Sequence, residues 1–187
     1  MAIAVDRGID HTTDFDAIAA KGIWGATRIS LGLIFLWAFF DKLLALGFST
    51  GRLEDGTIAF FGKAAWISGG SPTFGFLASG TKGPFAETFQ NIAGSAWVDW
   101  LFMAGLLGIG VALSFGIFVK ISAGAGVAML MLMWLAVLPP EHHPFIDDHV
   151  IYSLVLLGLA AVNAGDNLGF GKRWNRTPIV RRYPILR

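Results

Sequence analysis

The chain has 187 residues, of which 55% are hydrophobic and 14% are charged, and its mean hydropathy is +0.62. Soluble domains carry roughly a quarter of charged residues, so this composition excludes a protein that is water-soluble throughout. The absence of cysteine excludes disulfide relays, thiolate catalysis, covalent c-type haem attachment and iron–sulfur ligation. The net charge of +1 conceals an asymmetry along the chain that carries more information than the total.

Long apolar runs predict four membrane spans. The run over residues 96–138 is about 64 Å long as a helix, enough for two passes of a roughly 30 Å hydrocarbon core. The last run is short, and crosses the core if Asp147 and Asp166 lie at the two headgroup levels. The sequence therefore predicts an all-α membrane protein, one four-transmembrane-helix up-down bundle. Its predicted spans are residues 22–48, 96–118, 121–138 and 148–166.

Basic residues predict the orientation of these spans. Residues 1–21 and 167–187, together with Arg28 and Lys120, hold ten of the 14 Lys and Arg residues. By the positive-inside rule, both termini then lie in the cytoplasm of a multi-pass plasma-membrane protein. Residues 1–21 contain four Asp and no basic n-region, so we expect a retained cytoplasmic segment rather than a cleaved signal. Within it, residues 14–21 form either an amphipathic lead-in helix or a frayed terminus.

The basic cytoplasmic tail, residues 167–187, is expected to run extended along the membrane surface. Pro178 and Pro184 prevent a continuous helix. Each basic residue near anionic lipid contributes about 1 kcal/mol, so the bilayer is the expected partner and nucleic acid is not. The same arginines would dock on an acidic surface if other subunits of a membrane complex are present.

The outer segment, residues 49–95, is too long for an ordinary connection and too rich in aromatic residues for a solvated linker. Within it, residues 57–67 are expected to form an interfacial helix that ends at the Gly-Gly-Ser-Pro sequence of residues 69–72. Two interpretations remain open: a lid over a binding site on the outer mouth, or a surface cap without a ligand.

Charged residues inside or beside the predicted spans need partners. Arg28 lies within the first span, where it snorkels or makes a structural pair with Asn163 and Asp166 near the inner end of the fourth span. Lys42 lies on the same face of the first helix and is expected to meet Asp99 at the outer mouth. Such a pair is either a structural staple or a binding site for a polar headgroup.

The connection before the fourth span is the richest cluster of ionisable groups. Three of the four histidines lie there. We assign His149 and Asp148 as candidate catalytic residues that relay protons from a bound hydroquinone, and Asp147 and Tyr152, like Lys42 and Asp99, as candidate quinone- or substrate-binding residues. A divalent metal is an alternative for these ligand types, but no His-x3-His spacing supports it, so no metal site is predicted. A bis-histidine haem is disfavoured because the histidines share one loop. In the structural alternative, Asp147 or Asp148 merely caps the fourth helix.

Short motifs spread over residues 22–187 resemble the DoxX/DoxD-like membrane proteins, in particular their longer, actinobacterial-type members. The first span carries Thr-Arg-Ile-Ser-Leu-Gly at residues 27–32 and Asp-Lys-Leu at 41–43. The remaining matches are Gly-Ser-Pro-Thr at 70–73, Gly-Phe-Leu at 75–77, Thr-Lys-Gly-Pro-Phe at 81–85, Val-Asp-Trp-Leu-Phe-Met at 98–103, Gly-Ile-Gly-Val-Ala-Leu at 108–113, Pro-Phe-Ile-Asp-Asp-His at 144–149 and Pro-Ile-Val at 178–180.

This resemblance implies a membrane subunit linked to the quinone pool, of the kind found in thiosulfate:quinone oxidoreductases. Many relatives carry a Glu in the second span where this chain has Leu106, so the outer cluster is the expected polar site. No intrinsic cofactor is expected, and quinone would be a substrate. The alternative is a non-catalytic accessory or assembly subunit of a larger respiratory or membrane oxidoreductase complex.

Overall fold

A computed structural model of the chain describes the backbone of residues 11–187 and the side chains from residue 18 onward. The predicted N-terminal segment 1–21 therefore lies partly outside the described residues. The described part is helical, with an isolated bridge between Arg52 and Ile58 and no strand. Its seven α-helices are α1 (His11–Leu44), α2 (Ala86–Gln90), α3 (Ala96–Phe115), α4 (Val119–Ala136), α5 (Asp148–Ala161), α6 (Gly171–Trp174) and α7 (Pro178–Arg182).

Three helices are long and apolar enough to cross a bilayer: Ile18–Leu44 within α1, together with α3 and α4. The predicted all-helical fold is thus confirmed, as are three of its apolar spans. α5 has 14 residues, about 21 Å of helix, and is a shorter apolar helix rather than one of full spanning length. The first helix is longer at its start than predicted, because residues 11–21 continue directly into it.

The hydrophobic core lies where α1, α3, α4 and α5 face one another. α1 contributes Leu31, Phe35 and Phe39, which recur every four residues and so lie on one face. α1 and α3 approach closely because glycines occupy the contact: a Cβ added at Gly110 would lie 2.7 Å from Leu36 Cγ. Leu106 of α3 is 4% exposed within this core. Leu106 is therefore an ordinary packing position of the hydrophobic core.

The segment between α1 and α3 folds over one end of the helices, which we call the loop end. Residues 57–67 do not form the predicted interfacial helix; they form turns, with a short 3-10 helix at Trp66–Ser68. The reason is local: Leu53 accepts a backbone bond from Gly56 and donates one to Thr57, and Ala59 donates to Gly51, which closes a compact turn. A π-helix at Phe76–Gly80 and α2 complete the segment.

The C-terminal tail folds against the opposite end, which we call the tail end, instead of running extended as predicted. Pro178 and Pro184 each stand at the start of a short helix, where no backbone N–H is needed. Trp174 Nε1 donates to Leu186 O at 2.7 Å, and Lys120 N donates to Arg187 O at 2.9 Å. Val180 is fully buried, so the tail is part of the packed structure.

Candidate functional site

An apolar groove runs between α3 and α4 at the loop end, with a volume of about 1240 Å³. Its α3 wall includes Trp97, Leu101, Gly105 and Ile109, which are four residues apart and form one face of the helix. From residue 97 to 109 this wall is about 18 Å long. On the α4 side the groove is lined between residues 125 and 136. We call this cavity the groove.

Small side chains on the facing sides of α3 and α4 leave room for the groove. A connection of three residues, 116–118, joins α3 to α4 at the tail end. Towards the loop end the facing positions include Gly105, Ala125 and Ala128. A Cβ added at Gly105 would lie 2.4 Å from the terminal methyl of Met129. The flexible side chain of this α4 methionine therefore packs directly against the glycine.

Asp99 anchors the loop residues that line the groove between residues 49 and 77, which we call the roof. Its Oδ1 accepts hydrogen bonds from Ser71 Oγ at 2.9 Å, from Thr73 Oγ1 at 2.6 Å and from Thr73 N at 3.2 Å. Ser71 and Thr73 themselves line the groove, whereas Asp99 lies behind them and is 6% exposed. The carboxylate therefore holds the roof without forming part of the lining.

Asp41 has the same function at the end of α1. Its carboxylate accepts from Phe48 N at 3.0 Å, from Ser49 N at 2.9 Å and from Ser49 Oγ at 2.7 Å. Lys42, the next residue, donates from Nζ to Ser49 Oγ at 2.9 Å and lines the groove. Both ends of the roof are thus tied to helices by buried carboxylates.

The polar end of the groove, which we call the mouth, is formed by Lys42, Ser49, Lys63, Ser71 and Thr73. Within the described residues, both charged side chains in the lining are lysines. The predicted pairing of Lys42 with Asp99 is wrong, since each group instead binds a hydroxyl of the loop. The loop supplies these closer partners, and its position was not visible in the spacing of the helical residues.

The histidine- and aspartate-rich cluster lies at the start of α5 and does not line the groove. Asp147 is the N-cap: its carboxylate accepts from His149 N at 3.0 Å and Val150 N at 3.3 Å. The other carboxylate oxygen lies 2.7 Å from His149 Nδ1. Asp148 is the first residue of α5, and Tyr152 is partly exposed one turn later. The predicted helix-capping role of Asp147 is confirmed, and it also orients the imidazole of His149.

Neighbouring polar residues of this connection have local partners of their own. His143 Nδ1 accepts from Phe145 N at 3.2 Å and from Ile146 N at 3.0 Å. Glu141 pairs with Lys82 Nζ at 2.8 Å on the surface. The hydrogen bond and the charge of Lys82 lower the pKa of Glu141 below its ordinary value. In the part of the chain that the structure describes, no group of three or more His, Asp or Glu side chains is arranged to hold a metal ion.

Arg28 is fully buried at the tail end and binds backbone carbonyls instead of an acidic side chain. Its guanidinium donates to the carbonyl oxygens of Leu113, Ser114, Ala164, Asn167 and Leu168. The predicted pairing with Asp166 is wrong: the carboxylate of Asp166 accepts from Asn175 Nδ2 at 2.8 Å. Leu113 and Ser114 lie in the last turn of α3, and a cation is favourable at the C-terminal end of a helix.

Sequence reasoning missed the groove itself. The signal was present in small residues of the facing helices such as Ala125 and Ala128, but the glycines Gly105, Gly126 and Gly165 mark tight contacts, so small residues alone do not distinguish a groove from close packing. Comparison of the chain with protein-family models, with curated proteins and with solved structures gives no match. We therefore infer the function from the geometry of the groove and its mouth.

Proposed function

We propose that the chain is a four-span plasma-membrane protein that binds a lipid-soluble quinone in the groove and acts as a quinone-linked oxidoreductase subunit. The observation that carries this proposal is the composition of the groove, which joins an apolar trench to a mouth of lysine and hydroxyl groups. A quinone has the same division, with two carbonyl acceptors on its head and a hydrocarbon tail. Binding pockets for small amphiphiles are typically apolar with a few placed polar groups.

Charge supports an arrangement with the loop end outside and both termini in the cytoplasm. The loop-end side holds four basic residues, Lys42, Arg52, Lys63 and Lys82, against ten on the other side. α5 supplies the fourth span in this arrangement. Its 14 residues are short for a bilayer of ordinary thickness, and local thinning together with the turn after Ala161 accommodates the difference.

The open side of the groove supports entry of the ligand from the membrane. Trp97, Leu101 and Leu132 line the groove and are 62%, 66% and 55% exposed. In a bilayer these apolar side chains face hydrocarbon, because α3 and α4 have spanning length. A ligand dissolved in the bilayer would therefore reach the groove sideways, between the two helices.

The mouth supplies donors for a quinone head. Lys42 Nζ uses one of its protons on Ser49 and retains two for a ligand oxygen. Asp41 and Asp99 act as positioning residues, since they fix the loop hydroxyls around that ammonium. His149 and Asp148 stand outside the lining, and a proton relay through them would begin beyond the mouth rather than at the quinone.

The electron donor of this proposal is a reduced sulfur compound, as the resemblance to DoxX/DoxD-like proteins implies. With no cysteine in the chain, the electrons would pass directly from the donor to the quinone or through a partner subunit with its own cofactor. The identity of the donor has a test of its own.

Binding is tested with a matched pair of substitutions. Ala128 of α4 lines the groove, whereas Ala104 of α3 is also exposed but does not line it. In lipid nanodiscs, Ala128→Phe should weaken binding of a decyl-quinone at least tenfold, and Ala104→Phe should leave it unchanged. Equal affinities of the two variants would reject the groove as the binding site.

Turnover is tested separately with thiosulfate, sulfite and small thiols as donors and the decyl-quinone as acceptor. Quinone reduction that Ala128→Phe abolishes supports the oxidoreductase. Binding without turnover for any donor would contradict the catalytic part of the proposal and favour the accessory subunit.

One observation favours that second candidate, an accessory or assembly subunit. Ala104 and Gly108 are exposed on the outer face of α3, and a Cβ added at Gly108 would meet nothing within 4 Å. Small residues four apart allow another membrane helix to approach closely. Copurification of a stable partner in mild detergent, lost in Gly108→Leu, would support this role; a partner-free wild-type protein would count against it.

A further inference from the structure

The hydroxyl groups of the mouth have fixed hydrogen-bond directions. Phe74 N donates to Ser71 Oγ at 3.2 Å, so the hydroxyl proton of Ser71 is the one that reaches Asp99. Thr73 Oγ1 lies 2.6 Å from the same carboxylate oxygen and donates to it as well. Because their protons are donated to Asp99, the hydroxyls of these two lining residues can act only as acceptors towards a ligand in the groove.

The opposite polarity is found at Lys42. Its Nζ donates to Ser49 Oγ, and Ser49 in turn donates its proton to Asp41 Oδ2 at 2.7 Å. An ammonium has donors and no acceptor. The mouth therefore offers a ligand both a charged donor at Lys42 and oxygen acceptors at Ser71 and Thr73.

A quinone and its hydroquinone differ in how they meet these groups. The quinone head has acceptors alone, so it can pair with Lys42 but has nothing to donate to Thr73 Oγ1, which belongs to a residue that is 5% exposed. The hydroxyls of a hydroquinone head both accept and donate, so this head can pair with Lys42 and with Thr73 Oγ1. A buried polar group left without its partner costs affinity, and hydrogen bonds in a charged network are the stronger ones.

We propose that the mouth of the groove, through Lys42 and the Asp99-anchored hydroxyls of Ser71 and Thr73, selects the hydroquinone form of a membrane quinone over the oxidised form. This inference rests on the proposed function, since it names the redox state that the same groove prefers. Thr73 is the ligand-contacting residue, and Asp99 positions it.

The test compares a decyl-hydroquinone with its quinone, titrated calorimetrically under argon into nanodisc-embedded protein. We expect the wild type to bind the hydroquinone at least about tenfold more tightly than the quinone. A tenfold preference raises the midpoint potential of the bound two-electron couple by about 30 mV relative to the free couple, and this second readout needs no variant. Equal affinities with an unshifted potential would overturn the inference.

Substitutions at Thr73 locate the selection. Thr73→Val should bring the two affinities within about twofold, because it removes the acceptor and keeps the shape, whereas Thr73→Ser should retain the preference. If Thr73→Val preserves the preference, Thr73 is not the acceptor and the inference is wrong. Should that variant fail to fold, Ser71→Ala gives the same comparison with a smaller expected loss.

Two further arms separate this inference from the proposed function. If neither redox form binds, the proposed function fails with it; if both bind equally and Ala128→Phe abolishes both, only the selection fails. Displacement of the hydroquinone by phosphatidylglycerol, or equal binding of a decyl hydrocarbon without a head, would identify a lipid or tail site and overturn the inference.

Discussion

The two ends of the α3–α4 pair differ in packing: the tail end is closed and the loop end contains the open groove. At the tail end the helices are joined by three residues, and the Arg28 guanidinium binds the carbonyls at which α3 stops. At the loop end small side chains on both helices line an open groove, and residues of the loop complete its lining. A close approach at one end and small residues at the other thus leave one sealed end and one open groove.

Gly116 makes the sealed end possible. It has φ +73°, the left-handed conformation that ends α3, and an added Cβ would lie 3.0 Å from Arg28 Cζ. The guanidinium therefore occupies the space beside a residue without a side chain. No comparable cation fills the loop end of the described chain, where Lys42 instead stands at the edge of the open groove.

The largest effect is expected from Arg28→Met, which breaks the sealed end. It leaves five carbonyl groups without their shared donor in a buried site. We expect a loss of at least about 3 kcal/mol of unfolding free energy, measured by denaturant titration in detergent. Lys21→Met, which removes an exposed cation two turns earlier in α1, is the control and should change little. Unaltered stability of the Arg28 variant would contradict the role of this guanidinium in closing the tail end.

The next effect is expected at the open end, from Asp99→Ala. The substitution removes an acceptor of three hydrogen bonds and frees the roof. Amide exchange at Thr73 should accelerate at least tenfold, since its N–H loses its partner, with a destabilisation of about 1–3 kcal/mol. Glu87→Gln, an exposed carboxylate of the same segment, serves as control. Unchanged protection of Thr73 would show that the roof is held by other contacts.

A smaller effect is expected from Asp147→Ala at the α5 start. The N-cap bonds to His149 N and Val150 N are lost, which should cost about 1 kcal/mol of stability. Because this cluster does not line the groove, quinone affinity should stay within about twofold. The same holds for His149→Ala. A tenfold fall in affinity for either variant would mean that the start of α5 forms part of the ligand site.

The smallest effect concerns the surface pair of Lys82 and Glu141. Lys82 lowers the pKa of Glu141, so the stabilisation from this pair is present above the ordinary pKa of Glu and is lost as the pH falls through the lowered value. Lys82→Met should return the pKa of Glu141 towards its ordinary value, as followed by NMR of labelled glutamate. Both side chains are exposed, so stability at neutral pH should hardly change. An unaltered pKa would show that the pair does not form in solution.

The sequence predicted the elements that depend on local composition. Apolar length located α1, α3 and α4, and the Asp147 cap was visible because Asp precedes a helix start. Partners of the charges within the apolar helices were not predictable in the same way. The sequence indicates that Arg28 needs partners, but those partners are backbone carbonyls at helix ends and turns. Every residue has a backbone carbonyl, so the residue types do not show which carbonyls will bind the guanidinium.

The candidate site was predicted in part and for a related reason. Lys42 and Asp99 were assigned to the loop end, where both are found, but their contacts depend on Ser49, Ser71 and Thr73 of a loop whose path has no periodic signal. Likewise, prolines in the tail predict a broken helix, although at the first helical position they are compatible with the short helices observed. Tertiary contacts decided each of these outcomes.

Photolabelling tests directly whether the groove at the loop end is the ligand site. A prenylated azidoquinone is irradiated with the protein in lipid bilayers, and the adducts are mapped by mass spectrometry. We expect labels on the groove faces of α3 and α4, within residues 97–109 and 125–136, and we expect their loss in Ala128→Phe but not in Ala104→Phe. Labels concentrated at residues 147–152, or labels that Ala128→Phe leaves in place, would contradict this prediction.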